Sequence, residues 1–373
     1  MSSIRARLAL DVPAAVVEEK GGPFRMRTVS LQAPRADEVL VRIVATGVCQ
    51  TDAHVRDQER PTPLPVILGH EGAGIVEAVG SAVRDVAPGD HVALSFPSCG
   101  RCPACRKGAP ANCAQGYQLS FGACRPDGSS AYPDGVHGHF FGQSSFARFA
   151  LASERNTVRI PEDMPLELVG PLGCGLQTGA GAVLNSLRVR PGESLAVFGT
   201  GSVGLAAVMA AKVAGASTVV AVDVLETRLA LAAELGATHT VNARTDDVAD
   251  RLRQIQPEGF DYVLEITARP ELLSLAVELL APMGVAALLG GVPAGTTAAI
   301  NMRSLLVGGR MLRGIVQGDS VPQLFIPELV ELYRAGRFPI DRLVRTYPFA
   351  DINQAFEDAS QGTVVKPVLM MGG

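Results

Sequence analysis

Six consecutive residues, Cys49-Gln50-Thr51-Asp52-Ala53-His54, offer a thiolate, a hydroxyl, a carboxylate and an imidazole. That density of donor groups reads as one wall of a metal site. A second concentration lies at Cys99, Cys102, Cys105 and Cys113, spaced C-x2-C-x2-C-x7-C. Four thiolates, each about 2.3 Å from one ion, close a tetrahedral zinc site and order a loop that has little core of its own. A closed site has no position for substrate, so the expected role of this lobe is structural. Arg101, Arg106 and Lys107 partly offset the negative charge left on it.

Further along, Gly173-Cys174-Gly175 sets a single thiol between glycines in an apolar stretch, where a functional backbone turn is expected. The segment Gly199-Thr200-Gly201-Ser202-Val203-Gly204 is a G-x-G-x-x-G pattern. It follows an apolar strand, Glu193 to Phe198, and opens an apolar helix near Val203 to Val213. A second strand, Thr218 to Val222, ends at Asp223. This is the context a dinucleotide fingerprint requires. Gly199 permits the turn, Gly201 lets a pyrophosphate approach the backbone, and Gly204 allows close helix–sheet packing. Unpaired N–H groups at the helix start favour the phosphates. Asp223 is expected to accept hydrogen bonds from the adenosine ribose, and a 2′-phosphate there would face a carboxylate. NAD is therefore expected rather than NADP, with Arg228 as a nearby group that weakens the preference.

The elements that must position these residues divide the chain in two. At 373 residues it exceeds one ordinary core. The first part reads as strands, the clearest being Val39 to Ala45, with spaced glycines between Gly69 and Gly80 marking a tightly packed β-corner. From residue 193 to about 318 strands and helices alternate, the pattern of a doubly wound parallel sheet. The last segment, Lys366 to Met370, reads as a strand returning to the first domain. The expected organisation is α/β: a catalytic zinc-binding domain at 1–180, with the four-cysteine lobe at 99–113, then a Rossmann domain at 181–318, and a return to the first domain at 319–373.

Composition excludes several classes. A net charge of −4 and a pI near 5.9 give no electrostatic case for nucleic acid or an anionic membrane. No apolar run approaches the roughly 20 residues that span a bilayer, and Met1 to Arg7 lacks a signal-peptide core. Seven cysteines, four of them clustered, favour metal thiolates over a disulfide framework. A cytoplasmic protein is expected.

The pattern Gly69-His70-Glu71-x2-Gly74-x5-Gly80, the four-cysteine lobe, the fingerprint and Asp223 occur in one order. In these the chain resembles the zinc-dependent medium-chain alcohol dehydrogenases over essentially its full length. The resemblance implies a mostly β, GroES-like catalytic domain and two zinc ions per chain. It implies Cys49, His70 and Cys174 as catalytic zinc ligands, with a fourth position open. A zinc cation lowers the pKa of an alcohol hydroxyl by many units, preparing the alcohol to give hydride to NAD. By the same resemblance Thr51 takes the hydroxyl proton, the path runs through the nicotinamide ribose, and His54 ends it at the surface. Asp52 orients His70 and Glu71 lies behind the zinc. Thr178, Ser202, Val203 and Val292 join the cofactor contacts, and Lys366 stands near the place of a basic phosphate contact. Gln50 occupies a position that is basic in several members.

Within the family, the stretches Gly173 to Gly181 and Phe141 to Phe146 resemble the aryl- and allylic-alcohol branch, such as benzyl-alcohol and geraniol dehydrogenases. Phe96, Phe140 and Phe141 are candidates for an aromatic-lined pocket. The rival branch, glutathione-dependent formaldehyde dehydrogenase, carries an Arg where this chain has Tyr117 and tends to have Tyr where it has His54. The long segment between Cys113 and Phe146 is of the length kept in dimeric members, which implies a homodimer acting on a small alcohol or aldehyde.

Overall fold

The computed structural model describes residues 9–372, so the reading of Met1 to Arg7 lies outside the described residues. The chain forms two compact units. One gathers the chain up to Cys174 with Val321–Val330 and the segment from Ile340 onward. The other takes Gly175–Ser320 with Glu331–Pro339.

The first unit opens on β1 (Ala9–Val17), β2 (Phe24–Gln32) and β3 (Glu38–Gly47). Helix α1 (Gln50–Arg56) comes at once after β3, then β4 (Val66–Ile67), β5 (Gly72–Val79), β6 (His91–Leu94), β7 (Phe149–Ser153) and β8 (Thr157–Ile160). The second unit supplies β9 (Ser194–Phe198), β10 (Thr218–Asp223), β11 (His239–Asn242), β12 (Phe260–Glu265), β13 (Leu280–Leu288) and β14 (Met311–Gly314). The chain then returns with β15 (Val344–Pro348) and β16 (Lys366–Met370).

In the first unit β2-β1-β4 make a small sheet, and β15-β16-β3-β5-β6-β8 a larger one with β7 also on β3. Strand register in the larger sheet sets where the donor residues emerge. β3 and β5 run antiparallel with Thr46 opposite Gly72, so residues just after β3 and just before β5 lie at the same end. Cys49 and His70 are those residues. β16 pairs antiparallel with β3, Val368 opposite Gly47, and so carries Lys366 to that end as well.

The second unit is a six-stranded sheet, β11-β10-β9-β12-β13-β14, with every pairing parallel. That is the 3-2-1-4-5-6 order of the doubly wound dinucleotide fold, whose crevice lies where the order reverses, between β9 and β12. β9 is buried at all five positions, as expected of a central parallel strand covered on both faces. β14 and the helix Met302–Gly308 were not evident in the sequence. The four residues of β14 are all exposed, so no buried apolar run marks it.

The excursion between Cys113 and Phe146 is anchored by one buried ion pair. The Arg125 guanidinium donates to both carboxylate oxygens of Glu38, at 2.7 and 3.0 Å, and to Gln32 Oε1 at 2.8 Å. Burial alone would raise the Glu38 pKa, but these contacts hold it below the usual range. His139 is buried nearby, with Glu38, Arg125, Arg35 and Asp127 as charged neighbours, and burial pushes its pKa down to about 4. The unfolded chain binds that proton below about pH 6.5 while the fold refuses it until about 4. Stability is therefore expected to fall as pH drops through this window, by up to roughly 3 kcal/mol from this group. His139 has a φ of +60°, which Asn tolerates. His139→Asn should flatten the acid limb of urea midpoint against pH, between about pH 6.5 and 4.

Candidate active site

Cys49 is extended (φ −130°, ψ 151°) and caps α1, and Asp52 sits three residues into that turn. The Cys49 N–H donates to Asp52 Oδ2 at 3.2 Å. Asp52 Oδ1 accepts from the Gly69 N–H at 3.0 Å and pairs with His70 Nδ1 at 2.9 Å. A carboxylate only accepts, so His70 Nδ1 carries a hydrogen, and it is Nε2 that presents a lone pair in the neutral imidazole. Asp52 thus ties together two segments that the β3–β5 register has already brought to one end. Burial raises the Asp52 pKa, with His70 pulling against it.

His70 Nε2 is buried and has no hydrogen-bond partner. The donor atoms of Cys49, His70, Glu71 and Cys174 all lie within 4.8 Å of one another. Cys174 is held by the preceding turn: a Cβ on Gly173 would meet Leu94 O at 2.1 Å, and Ser95 Oγ donates to Gly173 O at 2.8 Å. The Cys174 hydrogen bond, then the charges of His70 and Lys366, hold the Cys49 thiol well below its usual range despite burial. Burial would lower the His70 pKa, but the negative charges of Asp52 and Cys49 raise it. Two sulfurs and an imidazole nitrogen converging on one buried point, with the nitrogen otherwise orphaned, fit a zinc ion.

Glu71 and Lys366 form a buried ion pair behind the donor set. Lys366 is 1% exposed, and its Nζ donates to Glu71 Oε1 (2.9 Å), Glu71 Oε2 (3.0 Å) and Val48 O (3.1 Å). All three of its donors are engaged inside the first unit. Burial lifts the Glu71 pKa to about 7, with the Lys366 charge opposing. The pair spans 295 positions in sequence, and no local signal marks it.

Thr51 and His54 lie on α1, three residues apart and half-buried, so they share one face. His54 Nδ1 pairs with Glu59, a partner the sequence did not suggest. Gln50 is exposed at the start of the same helix. The candidate pocket residues Phe96, Phe140 and Phe141 are all buried members of one hydrophobic core cluster, Phe140 completely and Phe96 and Phe141 at 5% and 7% exposure.

The sulfurs of Cys99, Cys102, Cys105 and Cys113 form the second gathering, again within 4.8 Å. Backbone N–H groups point at them: Cys99 N to Cys113 Sγ at 3.2 Å and Cys102 N to Cys99 Sγ at 3.4 Å. Such donors favour thiolates, and those from Cys105 and Ala114 bring the Cys102 pKa down to about 6. Among the described residues no cysteine forms a disulfide. This set also fits a zinc ion, with no position left over.

In the second unit, Gly199 ends β9 with a φ of +94°. A Cβ on Gly204 would meet Gly199 O at 1.9 Å, whereas one on Gly201 would meet nothing within 4 Å. The turn is therefore closed toward the sheet and open on the side where a pyrophosphate approaches. Ser202 and Val203 begin the helix Ser202–Ala214. Asp223 ends β10, and its carboxylate accepts from the Thr200 N–H (2.7 Å) and hydroxyl (2.8 Å) and from the N–H groups of Val224 and Leu225. A ribose hydroxyl therefore has to share or exchange one of these bonds. Arg228 and Val292 are half-buried, and the Thr178 hydroxyl donates to Gln317 at 3.3 Å.

Comparison with known proteins agrees with both halves. Residues 35–162 match the alcohol dehydrogenase GroES-like domain, and residues 202–334 match the zinc-binding dehydrogenase family. The chain is 44% identical to a geraniol dehydrogenase of Castellaniella defragrans, over 97% of its own length and 98% of that protein's. An alcohol dehydrogenase zinc-binding domain protein from Burkholderia ambifaria is 53% identical, covering 98% of this chain and 100% of its own, with a TM-score of 0.96. A benzyl alcohol dehydrogenase from Acinetobacter calcoaceticus is 47% identical, with 97% and 100% coverage and a TM-score of 0.95.

Proposed function

We propose that this chain, which belongs to the zinc-dependent medium-chain alcohol dehydrogenase family, oxidises primary aryl and allylic alcohols of the benzyl, cinnamyl and geraniol type to aldehydes with NAD. The observation that carries the reading is the orphaned, buried His70 Nε2 beside the sulfurs of Cys49 and Cys174. The substrate class rests on the geraniol and benzyl alcohol dehydrogenases among its relatives.

Zinc supplies a cation that makes the alcohol hydroxyl acidic and NAD supplies the hydride acceptor. The chain's own residues do the rest. Cys49, His70 and Cys174 hold the metal, and Asp52 fixes the tautomer and ring direction of His70 through Nδ1. The Thr51 hydroxyl accepts the alcohol proton, and His54, on the same face of α1, delivers it to solvent. Gly201, Ser202 and Val203 offer the pyrophosphate an open turn and a helix start. Asp223, in place of a basic residue at the end of β10, favours NAD over NADP.

Labour divides between the two units: the chain up to Cys174 with Val321–Val330 and the segment from Ile340 for chemistry, and Gly175–Ser320 with Glu331–Pro339 for NAD. The boundaries expected at 180 and 319 therefore shift, and a short stretch of the return joins the second unit. We also read the protein as a cytoplasmic homodimer. Cysteines grouped for metal rather than in disulfides support a reducing compartment. The edge of the six-stranded sheet supports the dimer: Met311 and Leu312 on β14, with Met302, Leu306 and Val307 on the adjoining helix, are exposed apolar side chains. Among the described residues no helix is long and apolar enough to cross a membrane. A light-scattering mass near four chains would remove the dimer.

Elemental analysis is expected to give two zinc ions per chain, with NADH formed from benzyl and allylic alcohols. A zinc count near one, with no NADH from these alcohols, would sink the reading.

A further inference from the structure

The segment His139–Phe146 has an unusual backbone. His139, Phe141 and Ser144 all have positive φ, at 60°, 51° and 55°, in addition to Gly142 at 64°. Three side-chain-bearing residues in the left-handed region within six positions persist only where surrounding contacts over-determine them.

Those contacts converge on the strip Ile67 to Gly72, with His70 at its centre. The Ser144 hydroxyl donates to Ile67 O at 2.6 Å and accepts from the Phe140 N–H at 2.9 Å. The Ser145 N–H donates to Gly69 O at 2.9 Å and the Phe146 N–H to Leu68 O at 3.0 Å. Gln143 accepts from the Gly72 N–H at 3.0 Å and donates to His70 O at 3.0 Å and Ser95 O at 3.3 Å. Asn156 donates to the carbonyls of Phe141 and Gly142, at 3.4 and 3.1 Å. Gly69, with φ +88°, lets the two backbones touch, since a Cβ there would meet Phe146 N at 2.5 Å.

This backbone delivers two rings to His70. Phe141 stacks on the imidazole, centroids 4.5 Å apart and planes at 27°. Phe140 meets it edge-on at 5.6 Å and 86°. Phe121 backs Phe141 edge-on at 5.2 Å, and the Arg60 guanidinium covers Phe121 at 5.2 Å. Asp52 fixes one point of the imidazole, Nδ1, but a single hydrogen bond leaves the ring free to tilt. A stacked face removes that tilt.

We propose that Phe141 is a positioning residue for His70: the strained loop presses its ring on the imidazole, fixing the plane in which Nε2 faces Cys49 and Cys174, and so sets how long the metal is retained. The inference rests on His70 being a zinc ligand. An ordinary core phenylalanine would act through its volume alone, and the two roles separate experimentally.

The zinc-loaded protein is mixed with excess 4-(2-pyridylazo)resorcinol and metal release is followed in time. Cys49→Ser, lacking the catalytic ion, identifies the phase that belongs to the four-cysteine lobe. Phe141→Leu, which keeps apolar bulk without a flat face, is expected to speed the other phase about tenfold, the scale seen when a ligand's support is removed. The lobe phase should be unchanged, and Phe141→Tyr should release metal as the parent does. Should the Leu variant fail to fold, Phe141→Met is read in the same way. A catalytic phase within twofold of the parent, acceleration of both phases together, or a Tyr variant that behaves as Leu would overturn the proposal. If His70→Ala retains both ions, the metal reading itself fails. If it loses one ion while Phe141→Leu matches the parent, this inference alone fails.

Discussion

His70→Ala is expected to leave one zinc ion per chain and to lower kcat/KM for alcohol oxidation by at least about a thousandfold. The substitution removes the one nitrogen donor of the buried set and strands Asp52, which loses its His70 partner while keeping the backbone N–H groups of Cys49 and Gly69. Losing a supporting carboxylate around a metal ligand costs roughly 10–100-fold in affinity or activity, so losing the ligand itself costs more. The four-cysteine lobe takes no part in this network, and its ion should remain. Elemental analysis with steady-state kinetics checks both halves, and a variant retaining two zinc ions would place the catalytic metal elsewhere.

Lys366→Met carries the largest expected effect on stability. Glu71 is fully buried, and Lys366 provides two of its contacts. Removing one partner of a buried ion pair leaves the other uncompensated, at a cost of about 3–5 kcal/mol. The urea midpoint should fall accordingly. The double variant Glu71→Gln, Lys366→Met leaves no stranded charge and should recover most of the loss. A double variant as unstable as the single would mean that Lys366 acts by filling space along β16 rather than through its charge. Lys366→Arg is no neutral control, because a planar guanidinium replaces a compact ammonium in a closed site.

How much was legible in the sequence depended on how far apart the partners lie. The fingerprint reads locally: strand, glycine turn and helix are contiguous, so Gly199 to Gly204 and Asp223 could be taken from periodicity and spacing. The four-cysteine lobe is local in the same way. Cys49, His70 and Cys174 are far apart and could be grouped only by resemblance. Their meeting depends on the β3–β5 register and on a close backbone approach at Gly173, neither of which the residue types reveal. Lys366 shows the limit most clearly. Its strand was readable, but whether its charge faces solvent or Glu71 is decided by pairing with β3, more than 300 residues earlier. The loop around Phe141 was equally hidden, since a left-handed backbone at non-glycine residues arises from tertiary hydrogen bonds and not from propensity. β14 escaped because an exposed edge strand carries no apolar alternation.

The most direct test of the account is a panel of alcohols with NAD, comparing kcat/KM for cinnamyl alcohol, benzyl alcohol and geraniol with ethanol and S-hydroxymethylglutathione. Turnover led by the aryl and allylic alcohols, by on the order of a hundredfold or more over ethanol, is the predicted result, since each buried methylene or ring face in an apolar pocket contributes to transition-state binding. A panel led by S-hydroxymethylglutathione, or one without activity on any aryl or allylic alcohol, would contradict it.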